Sequence, residues 1–96
     1  MNGSPAGRPH VSASAVQAAL QQALDPVALD VRDDSAAHAG HAGAREGSHL
    51  SVRIVSARFA GLPRLARHRL VYDALSTLMP QGIHALAIDA RAPDEP

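Results

Sequence analysis

The chain contains no cysteine, no lysine and no tryptophan, and it has one Phe and one Tyr in 96 residues. The missing thiols exclude a disulfide framework, a Cys nucleophile and any metal site built from Cys alone. Ligation by this chain is left to its six His and its carboxylates. With so few rings the core must be aliphatic, and only Phe59 and Tyr72 are at hand to stack on a nucleic-acid base. No apolar run is long enough to cross a bilayer, and the opening MNGSPAGRPH lacks the apolar stretch of a secretory signal. The expected location is the cytoplasm. Nine Arg balance nine acids. Formal neutrality argues against strong nonspecific affinity for nucleic acid.

What remains is 46% apolar, enough for one small domain with a stability on the order of 5 kcal/mol. The charges are unevenly spread. Between Gly47 and Tyr72 there is no acid, but Arg53, Arg58, Arg64, Arg67 and Arg69 fall there. A locally basic segment of this kind points to nucleic acid or to an acidic protein surface.

Periodicity gives the order of elements. Residues 1–11, rich in Gly, Pro and Ser, read as a disordered leader. Ser12–Pro26 reads as a helix capped by Ser12 or Ser14, with Val16, Ala19, Leu20, Ala23 and Leu24 on one face. Pro26 disfavours helical geometry at Asp25 and ends it. Val27–Asp33 alternates as a half-buried strand, with Val27, Leu29 and Val31 together. Asp34–His49 is a small-residue, Gly-interrupted connector, long enough to be functional or disordered. Leu50–Phe59 alternates again, with Leu50, Val52 and Ile54 on one face. After Ala60–Pro63 the spacing predicts a helix with Leu65, His68, Tyr72, Leu75 and Met79 in a three-four repeat, widened by Val71 and Leu78 and ended by Pro80-Gln81-Gly82. The stretch IHALAIDAR then alternates, with His84, Leu86 and Ile88 sharing a face, and APDEP is a polar tail. The order α-β-β-α-β favours an antiparallel strand pair followed by a right-handed parallel crossover. That is a two-layer α+β domain over residues 12–93, with 94–96 as tail.

The chemistry is carried by histidines and arginines. Arg67, His68 and Arg69 are consecutive, so on a helix they fan out about 100° apart. His68 falls in the apolar stripe, flanked by two solvated Arg. With Arg58, Gly61 and Arg64 in front, a Gly-containing turn before a helix can hold a phosphate or present a basic lip. His38 and His41 have a spacing compatible with two ligands on one metal, which is weak evidence without a third ligand, and a solvated loop is the plainer reading. His84 taken alone is a structural residue at a strand start. The topology changes this. The connector between two antiparallel strands and the start of a strand parallel to the second lie at the same end of the sheet, so His84 and the connector histidines can face a common point. Two imidazoles there cannot complete a soft-metal site without an outside thiolate. Nothing resembles a nucleophile elbow, a Walker phosphate loop or a spaced acid/base pair, so the chain reads as no enzyme and as having no small-molecule substrate.

Together these residues resemble the BolA family. The matching pieces are Ser-x-x-Phe-x-Gly (Ser56, Phe59, Gly61), Arg-His-Arg (Arg67, His68, Arg69), Val71-Tyr72 and His-Ala-Leu-Ala from His84 to Ala87. The resemblance covers roughly residues 12–93 and implies a KH-like fold with a three-stranded mixed sheet. It also implies a non-enzymatic partner of a monothiol glutaredoxin in iron–sulfur trafficking or iron regulation. In such a heterodimer a [2Fe–2S] cluster is shared with the glutaredoxin and its glutathione, and the isolated chain carries none. The family's ligand is the His of the HALA motif, His84 here, with a second ligand from the connector of the first two strands. Counting forward from Asp-x-Ser gives His38, with His41 as substitute, while His49 reads as a strand-start residue. The resemblance also implies, as an alternative, a DNA-binding transcriptional regulator using Arg58, Gly61, Arg64, Arg67 and Arg69. Against it, Gly61–Arg64 is not the Gly-x-x-Gly that clamps a nucleic-acid backbone in KH modules.

Overall fold

The computed structural model describes residues 11–34 and 48–95, with the backbone but not the side chain of His84. Helix α1 (Ala13–Leu24) starts where Ser12 accepts a hydrogen bond from the Ala15 N–H at 3.1 Å. It buries Val16, Leu20 and Leu24, while Ala23, expected on the same face, is exposed. It ends at Asp25, which turns into the left-handed region (φ 46°) ahead of Pro26. Val11, the last residue of the expected leader, belongs instead to the core. Its N–H and C=O are both held by the Ser48 hydroxyl, at 2.8 and 2.7 Å.

Strand β1 (Ala28–Asp33) pairs antiparallel with β2 (Ser48–Val55), and β2 pairs in parallel with β3 (Ile83–Arg91). The sheet order β1-β2-β3 puts β2 in the centre. The mixed three-stranded sheet and the order of elements are those expected from the sequence. One face of the sheet, with Leu29 and Val31, Leu50, Val52 and Ile54, and Leu86 and Ile88, packs against α1 and the second helical segment. The opposite face, with Asp30 and Arg32, Ser51 and Arg53, and Asp89 and Arg91, is polar and open. This is the alternation of a sheet covered on one side. Val27 does not join the inward row; it lies outside the regular strand and is 71% exposed, although its N–H still bonds to the Val55 carbonyl at 2.8 Å.

The fold departs from the expected elements at three places. The second strand stops at Val55 rather than Phe59, because the buried Ser56 hydroxyl accepts from the Arg58 N–H and donates to the Leu24 carbonyl at 2.6 Å, folding Ala57–Phe59 into a 3-10 turn. Phe59 is thereby fully buried. The long helix is two pieces, α2 (Arg64–Ala74) and the single turn α3 (Met79–Gly82). The break falls over residues 75–78, and Pro80 sits in the first turn of α3, where a missing N–H leaves no helical bond unmade. Finally, the buried face of α2 is rotated from the expected stripe: Val71 and Leu75 are fully buried, while Leu65 is 66% and Tyr72 41% exposed. Among the described residues no helix is long and apolar enough to cross a membrane.

Candidate functional site

His84 stands at an irregularity in the β2–β3 ladder. Ser48 pairs with Ile83 and His49 with Ala85, so His84 is the extra residue of a bulge. Bulges of this kind often mark functional positions in sheets. The bulge also resolves the phase of β3: Ile83 and Leu86 both turn to the core, so the expected strict alternation through His84, Leu86 and Ile88 is interrupted at its first member. The His84 side chain lies outside the described atoms.

The connector of the first two strands opens and closes at this same end. Asp34, just past β1, donates its N–H to the His49 carbonyl at 2.7 Å, and Ser48, the first residue of β2, pairs with Ile83. The carboxylate of Asp34 accepts from the Ser51 hydroxyl. Asp34, His49 and Ser51 line a shallow open hollow of about 270 Å³ with Leu50, Ala85, Leu86 and Ala87. The small side chains of Ala85 and Ala87 leave this space beside the start of β3. His38 and His41 lie outside the described residues. His49 is half-buried in β2, the strand-start placement expected of it. Among the described residues no three His, Asp or Glu cluster closely enough to hold a metal ion.

The basic residues occupy the other end. Ser56 N–H bonds to the Arg91 carbonyl at 2.9 Å, so the 3-10 turn carrying Arg58 sits where β3 finishes. Gly61 takes a positive φ of 75° in the turn that delivers Arg64 to the start of α2. From His84 to Ala90 the strand runs six residues, about 20 Å. The sheet therefore brings His84 to the ends of the connector and holds Arg58, Gly61, Arg64 and Arg67 away from it. Arg58, Arg64 and Arg69 are exposed.

Arg67 is not the solvated residue its charge suggests. Its guanidinium donates to the Leu62 carbonyl at 2.7 Å, to the Ala90 carbonyl at 3.2 Å and to both carboxylate oxygens of Glu95 at 2.5 and 2.7 Å. Its side chain is 13% exposed. This hydrogen-bonded pair, helped by the Ala92 N–H, lowers the Glu95 carboxyl to about 2 and pushes Arg67 further up. Sequence reasoning missed Glu95 and put it in a free tail; the only signal was an acid shortly after β3 with an unpaired Arg inside a helical apolar repeat. On the open face, Arg91 holds the Asp89 carboxyl below the usual carboxylate range, chiefly by a hydrogen bond at 2.9 Å, with Arg53 at 3.8 Å adding charge.

Comparison with known proteins agrees with this architecture. A family model described as BolA-like protein matches residues 20–95. The chain is 46% identical over 80 residues to BolA-like protein 1 of Mus musculus, covering 83% of this chain but 57% of that protein. It is 41% identical over 97 residues to "Protein BOLA1, chloroplastic" of Arabidopsis thaliana, covering 97% of this chain and 61% of that one. It thus spans little more than half of these two relatives. Among solved structures, BolA1 from Arabidopsis thaliana superposes with a TM-score of 0.75 at 40% identity, over 90% of this chain and 97% of that one. None of these names denotes an enzyme. On fold, strand order and sequence together, the chain belongs to the BolA-like family.

Proposed function

We propose that this protein is a non-enzymatic adaptor that joins a monothiol glutaredoxin in binding a [2Fe–2S] cluster, in the service of iron–sulfur trafficking or iron regulation. His84 is one ligand and His38 the second, with His41 as its substitute. The observation that carries the reading is the position of His84: a bulge residue at the start of β3, at the end of the sheet where Asp34 and Ser48 bracket the His-bearing connector. The donor set fits half of such a centre. Two neutral imidazoles with two thiolates make a Rieske-like set, and a chain without Cys must take its thiolates from a partner. The cytoplasm, where thiols stay reduced, suits such a partner. The shallow hollow beside Ala85 and Ala87 leaves room for one to approach. The DNA-binding alternative receives no comparable support, since Arg67, central to it, is engaged by Glu95.

The test is optical. Adding the protein to a glutathione-loaded, cluster-bearing monothiol glutaredoxin changes the visible absorption and circular dichroism. His84→Ala abolishes the change with the far-ultraviolet spectrum intact, His38→Ala weakens it more than His41→Ala, and His49→Ala leaves it. Coincident spectra for wild type and His84→Ala would overturn the ligand assignment.

A further inference from the structure

The rotation of α2 leaves an apolar side chain with no place in the core. Leu65, Arg69 and Tyr72 stand four and three residues apart and share one helix face. Leu65 is 66% exposed and Tyr72 41%. Arg64, exposed, begins the helix that carries that face, and Arg58, also exposed, lies in the 3-10 turn before Gly61. Among the described residues neither they nor Arg69 forms a salt bridge, and the ion pairs there use Arg32, Arg53, Arg67 and Arg91. Tyr and Arg around an exposed aliphatic residue is the composition of a protein interface rather than of an ordinary solvated surface.

We propose that this outward face of α2 docks an acidic segment of a partner protein, which lays an aliphatic or aromatic side chain against Leu65. The charges select the occupant. No acid lies between residues 47 and 72, so the face offers cations and an apolar centre, and Asp73 closes it at the far end. A second copy of the chain meeting this face two-fold would set Arg against Arg. A nucleic acid would find one ring, Tyr72, and would have to dehydrate Leu65 without return. The face starts at the end of the sheet opposite His84, about 20 Å along β3, and runs back along α2. The docking face goes beyond the cluster reading and does not rest on it.

A random-peptide library selected on the immobilised full chain, followed by calorimetric titration of the synthesised winners, tests it. Enrichment of Asp and Glu beside one aliphatic or aromatic residue is expected, with binding that weakens as salt rises. Leu65→Ser and the double variant Arg64→Glu/Arg69→Glu each weaken binding by about tenfold or more, with unchanged far-ultraviolet spectra. His84→Ala leaves it unaltered, which separates failure here from failure of the cluster reading. The proposal is overturned by peptides without acidic bias, or by binding indifferent to these variants. A duplex DNA that binds the chain more tightly than the peptides, or a concentration-dependent dimer that Leu65→Ser dissolves, overturns it as well. If Leu65→Ser does not fold, the arginine variant alone decides the matter.

Discussion

Arg67 occupies a core-facing position of α2 because three acceptors meet it there: the Leu62 and Ala90 carbonyls and the Glu95 carboxylate. Its partner makes stability depend on acid. Glu95 titrates near 2 in the folded chain and at 4.5 ordinarily. A depressed carboxyl contributes stability that is fully present above its ordinary value and lost as pH falls through the folded one. Urea midpoints should therefore drop between about pH 4.5 and 2, and Glu95→Gln should be less stable at neutral pH with a shallower fall across that window. Equal slopes for the two proteins would remove the clasp from the account. Ser56 makes a similar closure without charge. Its buried hydroxyl joins the end of α1 to the 3-10 turn, and Ser56→Ala should cost about 1–3 kcal/mol in urea denaturation by leaving the Leu24 carbonyl unpaired.

At the scale of elements, the two halves of the chain are unequally legible. The strands and α1 announce themselves because period-two and period-3.6 patterns do not overlap there. In α2 two helical repeats compete. Leu65, His68, Tyr72, Leu75 and Met79 form one and Arg67, Val71, Leu75 and Leu78 another; the first leaves Leu65 and Tyr72 to solvent, while the second turns inward. From sequence alone Val71 and Leu78 only widen the first repeat and Arg67 flanks it in solvent; Glu95, distant in the chain, lets Arg67 turn inward. The break over residues 75–78 and the bulge at His84 depend on tertiary register, which periodicity does not encode. The face assignment is measurable. Leu75→Ala should cost about 2–5 kcal/mol, whereas Leu65→Ala should stay within about 0.5 kcal/mol; similar losses would mean that the helix is turned the other way. Gly61→Ala meets no neighbour within 4 Å, so its cost should be the backbone strain of a positive φ alone, about 1–2 kcal/mol, in thermal or urea melts.

At the scale of the molecule, a central β2 flanked by one antiparallel and one parallel neighbour fixes two ends with different chemistry. His84, Asp34 and Ser48 lie at one, Arg58 and Arg64 at the other. The sequence names the residues of both ends, and the topology alone says that they are apart. Perturbations at such separation should add: the losses of folding free energy for His84→Ala and Arg64→Glu should sum in the double variant to within about 0.5 kcal/mol.

The Ser48 clasp on Val11 gives the His84 end its own spectroscopic reporter. The Val11 amide is buried and bonded to the hydroxyl of the residue that pairs with Ile83, one position before the bulge. Its proton should exchange with deuterium among the slowest in α1's lead-in. Its resonance should shift when a partner loads the start of β3, so that occupancy of the far strand can be read from a residue just ahead of the first helix.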